Sequence, residues 1–299
     1  MKSQVKFIGA PLLALLVVVG AVDSVKAQPV WLSPTPDPGI SVEVLKPKFE
    51  ETQFESISIL SSVWFLSARI RMDRTFHALW ELPIAGFDGE YYNYYYGYYP
   101  GPISWPIDGE TAVGNPYIGL EVMDRREMWY GRFGVRLPII GDDNYYAREY
   151  GIVADVDRAE AFSDDLTPLM IRFGIRSPRG SNLAVHAWAG PTFWLYGGNY
   201  TGDNETLIDY GIQMWVVSDV ARIAGGITGR YIISLEDADF GESSVHQFGF
   251  AANVGRGSIR PGVHFRVPLD EDWDFTGVDF IYGINLSWLI GGKNDDAGW

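Results

Sequence analysis

Ten arginines and three histidines fall at alternate positions of segments that otherwise alternate apolar and polar residues. They are Arg69, Arg71, Arg132, Arg136, Arg172, Arg176, Arg222, Arg230, Arg260 and Arg266, with His77, His186 and His264. Successive side chains of a strand point to opposite faces, so this parity gathers the thirteen on one side of a sheet. Glu81, Glu121, Asp209 and Asp279 share that parity and are fewer. Guanidinium stays charged, and low-dielectric walls focus its field, so such a lining concentrates anions if the sheet closes around water. If instead loop carboxylates fold inward, the same arginines fill and shut the interior.

The opposite parity is apolar. Trp64, Leu66, Ala68 and Ile70 lead into Phe76, Ala78, Trp80, Leu82 and Ile84; Trp129, Phe133, Val135 and Leu137, then Leu169, Ile171, Phe173 and Ile175, repeat the pattern. The last set is Phe280, Tyr282, Ile284, Leu286, Trp288 and Ile290. A soluble sandwich also alternates, but its polar face meets bulk water and normally carries lysine; this one has none. The 11 Trp, 17 Tyr and 16 Phe concentrate toward strand ends, as an interfacial girdle requires. The pattern predicts an all-β fold, a transmembrane antiparallel up-and-down β-barrel in a bacterial outer membrane. Eleven strands are clear. A further one, within Ser41 to Phe49 or split from 54–72, gives the even number such barrels have, twelve, with ten as the alternative. A one-residue slip in any strand would exchange its faces.

Tight turns by composition, such as Met72-Asp73-Arg74-Thr75, Met123-Asp124-Arg125-Arg126 and Ser177-Pro178-Arg179-Gly180, alternate with longer segments at 87–112, 140–164, 197–204, 234–243 and 268–274. Short periplasmic turns and long outer loops are the expected asymmetry. Residues 1–27 read as a cleaved signal peptide: Lys2 and Lys6, an apolar run from Phe7 to Val22, then Val25-Lys26-Ala27. Residues 28–53 are a periplasmic segment or first strand, 54–291 the barrel and 292–299 a tail.

The chain carries a formal net charge of −15 and no cysteine, which argues against nucleic acid as a partner and against a disulfide framework. Acidic runs in the long segments, including Asp142, Asp143, Glu149, Asp155, Asp157, Glu160, Asp164 and Asp165, read as solvated outer loops, since no calcium-loop spacing is present. No metal or cofactor is expected. Tyr91, Tyr92, Tyr94, Tyr95 and Tyr96 form a tyrosine-rich loop suited to binding sugars, aromatic solutes or a protein, or to packing on the rim. No nucleophile elbow, zinc-binding helix, Walker loop or dinucleotide fingerprint occurs, so no enzymatic activity is expected.

Two resemblances add to this reading. Gly283 followed by Leu286, Ser287 and Trp288 resembles the C-terminal signal by which outer-membrane barrels are recognised, implying the barrel-assembly machinery as a partner; Ile281 departs from it. Glu81-Leu82-Pro83, Gly114 through Glu121, and Gly134-Val135-Arg136-Leu137-Pro138 resemble the outer-membrane transporter-like proteins grouped with phenol meta-pathway proteins. That resemblance implies a 12-stranded barrel and uptake of small or hydrophobic compounds. The expected function is passive passage of small solutes, anion-favouring through the ten arginines. The alternative is a structural or adhesive barrel, shut inside, that binds partners through its tyrosine-rich and acidic loops.

Overall fold

A computed structural model describes residues 38–49, 61–93, 103–178, 180–197, 203–234, 243–255, 258–270 and 278–289. The predicted signal peptide, Tyr94, Tyr95, Tyr96 and the tail lie outside them. Thirteen strands follow in order: β1 (Gly39–Phe49), β2 (Ser62–Arg71), β3 (Phe76–Asn93), β4 (Ile103–Val113), β5 (Tyr117–Met123), β6 (Trp129–Arg136), β7 (Leu166–Arg176), β8 (Leu183–Tyr196), β9 (Glu205–Val217), β10 (Ala221–Ile232), β11 (Ser244–Val254), β12 (Ile259–Pro268) and β13 (Val278–Leu289). Each pairs antiparallel with its neighbours, and β1 pairs with β13 as well as β2, closing a ring of twelve.

The thirteenth strand is β4. The 18-residue β3 is too long for one partner: Phe76–Glu81 pairs with β5, while Ile84–Asn93 extends past the ring and pairs with β4. The expectation of an outer loop over 87–112 is thereby corrected for its described residues, because 87–93 and 103–112 are paired strands. Tyr91 and Tyr92 belong to the first of them, opposite Trp105 and Ser104 in register. Of the alternatives for residues 28–53, the first strand is the one found, and within the described residues the barrel opens at Gly39. Ser41-Val42-Glu43-Val44-Leu45 alternates like the other strands, and its odd members are buried.

Outside, Ile118, Phe133, Phe173, Ile212, Met214, Val216, Ile284 and Leu286 are all around half exposed. A belt of that chemistry is stable only against lipid hydrocarbon, and closure leaves no unpaired sheet edge within it. The molecule is an outer-membrane barrel surrounded by lipid. Both chain ends of the sheet, Gly39 and Leu289, lie at the end bearing the short turns.

On the inner wall, large rings lie over glycines of the neighbouring strand. A Cβ on Gly134 would stand 2.1 Å from the Tyr117 hydroxyl, and one on Gly174 2.4 Å from the Tyr130 ring. Glycine here supplies room for an aromatic side chain to lie flat against the wall.

The long β6–β7 connection holds α1 (Tyr145–Val153) and a short 3₁₀ helix (Val156–Ala161). Its assignment as a solvated acidic loop is corrected for its middle: Asp142, Asp143, Asp164 and Asp165 are exposed, but Asp155 and Glu160 are almost completely buried inside the barrel. The segment enters because one of its faces is apolar. Ala147, Tyr150, Ala154, Ala161 and Phe162 pack on Leu45, Phe49, Val63, Phe65, Ala85 and Phe87 from β1, β2 and β3. The amides of Tyr146 and Ala147, at the start of α1, donate to Glu110 Oε2 at 2.9 and 3.2 Å, satisfying two of the helix's otherwise orphaned donors.

Candidate functional site

The candidate site is the lumen, which divides into two layers. The outer layer is formed where the plug, residues 137–165, meets the wall. Arg158 of the 3₁₀ helix is its centre, contacting Asp155 and Glu43 at 2.5 Å and Glu81 at 3.0 Å, with its guanidinium carbon 3.5 Å from the centre of the Phe65 ring. Arg266 reaches Glu43 at 2.8 Å and Asp155 at 2.7 Å, and Arg136 reaches Glu81 at 2.7 Å. Across the barrel, Arg230 bonds Glu160 at 2.7 Å and Asp209 at 2.9 Å, while the Thr228 hydroxyl donates to Asp157 at 3.0 Å. Arg172 bonds Asp209 at 3.1 Å. Charges this deeply buried persist only when paired, and here Glu43, Glu81, Asp155, Glu160 and Asp209 each serve more than one donor.

Burial alone would raise the Asp155 carboxyl, but Arg158 and Arg266 together hold it well below the usual carboxylate range. Asp157 is pushed up, by burial first and by the neighbouring Asp155 charge second. Asn115 clips both legs of the plug. Its side-chain oxygen accepts from the amides of Ile139 and Ile140 at 2.9 and 3.0 Å, and its amide nitrogen donates to the Ser163 carbonyl at 2.6 Å.

The inner layer, toward the short turns, is built differently. Arg69, Arg132 and Arg176 all converge on Glu121, Arg132 at 2.8 Å and Arg176 at 3.3 Å. Arg132 stands directly opposite Arg172 in the β6–β7 register, so the two need separate counterions and find them in Glu121 and Asp209. Tyr130 lies beneath Arg176 at 4.1 Å and its hydroxyl meets His186 Nε2 at 2.9 Å. Arg71 sits at the exposed end of β2 beside Glu127 at 3.6 Å. Arg222 and Arg260 occupy inward positions at the short-turn ends of β10 and β12.

Of the four acids expected inside, Glu81, Glu121 and Asp209 are buried there. Asp279 is exposed, because the β1–β13 pairing steps from Phe280 to Val278 and leaves it as the extra residue of a bulge. Sequence reasoning overlooked Glu43, Asn115 and Arg158. Glu43 was findable, since it breaks an apolar alternation at inward parity. Arg158 had a weaker signal, a lone cation within Asp155-Val156-Asp157-Arg158-Ala159-Glu160.

No family model matches the chain, and no curated protein matches its sequence. Among solved structures its fold is similar to an outer membrane channel from Pseudomonas putida F1, at 11% identity over 89% of this chain and 97% of that one, with a TM-score of 0.52. It is also similar to the NanC porin, at 10% identity over 84% and 100% with a TM-score of 0.49, and to LpxR from Salmonella typhimurium, at 10% over 84% and 100% with a TM-score of 0.47.

The expectation that the chain is not an enzyme is corrected. It rested on the absence of linear motifs, and that absence excludes no activity. Linear motifs are a poor guide in such a fold, which can join polar groups from separate strands. Here Asp270 approaches His246 Nδ1 at 3.0 Å, and His246 Nε2 meets the Tyr210 hydroxyl at 2.6 Å. Closure of twelve strands, the lipid-facing belt and the likeness in fold to a solved outer-membrane barrel together identify the chain as a bacterial outer-membrane β-barrel.

Proposed function

We propose that the protein is a channel for small solutes whose lumen is closed at rest by residues 137–165 and whose lumenal arginines favour anions. The observation that carries this reading is the two-sided attachment of the plug. Toward β1, β2 and β3 it is held by apolar packing as well as by Arg158 on Glu43 and Glu81; toward β10 and β12 it is held by polar contacts alone, Arg230 to Glu160, Thr228 to Asp157 and Arg266 to Asp155. Polar latches hydrate when they part, whereas an apolar anchor does not, so the latched side is where a water path opens. A barrel shut for good, acting through its outer hairpin, is the competing reading, and the dense ion pairing of the outer layer favours it.

The grouping with phenol meta-pathway proteins accords with the channel reading, and the C-terminal motif with delivery by the barrel-assembly machinery. The test is conductance of the refolded mature protein in a planar bilayer under a salt gradient. Steps of conductance with a reversal potential on the anion side are expected. Silence from protein shown separately to be folded and inserted refutes the channel.

A further inference from the structure

The two lumenal layers differ in charge. Among the described residues, the outer layer sets Arg136, Arg158, Arg172, Arg230 and Arg266 against Glu43, Glu81, Asp155, Asp157, Glu160 and Asp209, which is close to balance. In the inner layer the excess of positive charge lies around Glu121, where the three guanidinium groups of Arg69, Arg132 and Arg176 share one carboxylate.

The hydrogen bonding of that cluster is poor in acceptors. Arg176 Nη1 has the Met123 thioether as its acceptor, at 3.6 Å, and Arg69 Nη2 meets the same sulfur at 3.5 Å. A thioether is a weak acceptor for a charged donor. His77 lies on β3 between Arg71 of β2 and Glu121 of β5 in register, is fully buried, and has no hydrogen-bond partner at either ring nitrogen. Buried donors in native proteins are nearly always satisfied, so an unpartnered histidine beside Arg176, whose Nη1 has only a thioether to bond, offers two donors to a ligand.

We propose that this inner cluster binds a small oxyanion, a carboxylate or a phosphate, with Arg132 and Arg176 as its cationic ligands and His77 as a further donor. The site deepens the channel reading, on which it rests for its place in transport, by naming the solute class. Planar guanidinium forks match the paired oxygens of these groups, and the Tyr130 face beside Arg176 gives an apolar flank for an organic acid. Glu121 is the internal competitor, occupying part of the positive field that the solute would use.

The test is equilibrium binding, which does not require conduction. Refolded full-length protein in detergent is melted while tryptophan fluorescence is followed, with sodium phosphate or sodium benzoate titrated against sodium chloride at constant ionic strength. A saturable rise in Tm with one or both oxyanions is expected, and the arm that responds distinguishes phosphate from carboxylate. Arg176→Gln should weaken the apparent affinity by roughly tenfold or more, the scale of one charged hydrogen bond. Glu121→Gln should strengthen it, a direction that simple loss of a structural ion pair does not give. If Arg176→Gln fails to fold, Arg132→Gln, whose side chain is partly exposed, makes the same measurement. No saturable rise in the wild type, or equal rises in the arginine variants, overturns the site. Saturable binding in a protein that never conducts keeps the site and removes the channel; conduction without saturable binding does the reverse.

Discussion

Replacing Arg158 with alanine should release the plug. In the seated state this side chain touches three carboxylates, Asp155, Glu43 and Glu81, and covers the Phe65 ring. Removing one partner of a buried ion pair typically costs about 3–5 kcal/mol. Here the cost is smaller, because Arg266 still serves Glu43 and Asp155 while Arg136 still serves Glu81, which leaves about 2–4 kcal/mol. In a released plug the same groups face water and lose little, so nearly all of that difference falls on the seated state. At about 1.4 kcal/mol per factor of ten, the ratio of seated to released plug should fall by roughly thirtyfold to several hundredfold. The assay is open probability in a planar bilayer, with heat-modifiable gel mobility as the check on folding. Arg158→Lys should fall between wild type and alanine, since a single ammonium cannot span three carboxylates as a planar fork does. An unchanged open probability in folded Arg158→Ala protein would refute the seating role given to Arg158.

Two further outcomes follow from other parts of the structure. Gly134→Ala should destabilise the barrel by about 1–3 kcal/mol in urea unfolding from liposomes, because the new methyl displaces the Tyr117 ring; Gly225→Ala, where a Cβ meets the nearest ring at 3.8 Å, should change little. Mild acid should not open the plug. Asp155, held low, supports seating above the ordinary carboxylate range and loses that contribution only as pH falls below it; Asp157, pushed up, opposes seating at neutral pH and ceases to as pH falls. Open probability should therefore not rise between pH 7 and about 5, well above the ordinary aspartate value; a rise in that window would contradict the assignment.

Alternation was legible because lipid on one side and polar groups on the other impose a period of two on every strand. Phe133, Phe173 and Ile284 faced outward for that reason alone, and Arg136, Arg230 and Arg266 inward. Whatever departs from the period was not legible. β3 continues past the ring because a second partner, β4, arrives from a segment with the composition of a loop. Asp279 leaves its parity at a bulge, which exchanges nothing but the local count of residues. The plug was read as acidic surface because its charges were counted without their partners. The apolar positions that draw it inward, Ala147, Tyr150, Ala154 and Phe162, have helical rather than strand spacing and meet residues about a hundred positions earlier in the chain.

The unequal anchorage of the plug also fixes the geometry of any passage. With α1 packed on β1, β2 and β3 and only polar contacts to part on the far side, the plug of the proposed channel would turn like a door on one jamb. The aperture it would uncover is a crescent against β7 to β12 and not a central bore. A solute in that crescent slides along one wall, past Arg230, Arg172 and Asp209, with the plug's own carboxylates Asp157 and Glu160 as the moving bank opposite. Its cross-section would then be set by how far one loop swings, so under the proposed function the same ring of twelve strands would admit solutes of different width without any change in strand number or tilt.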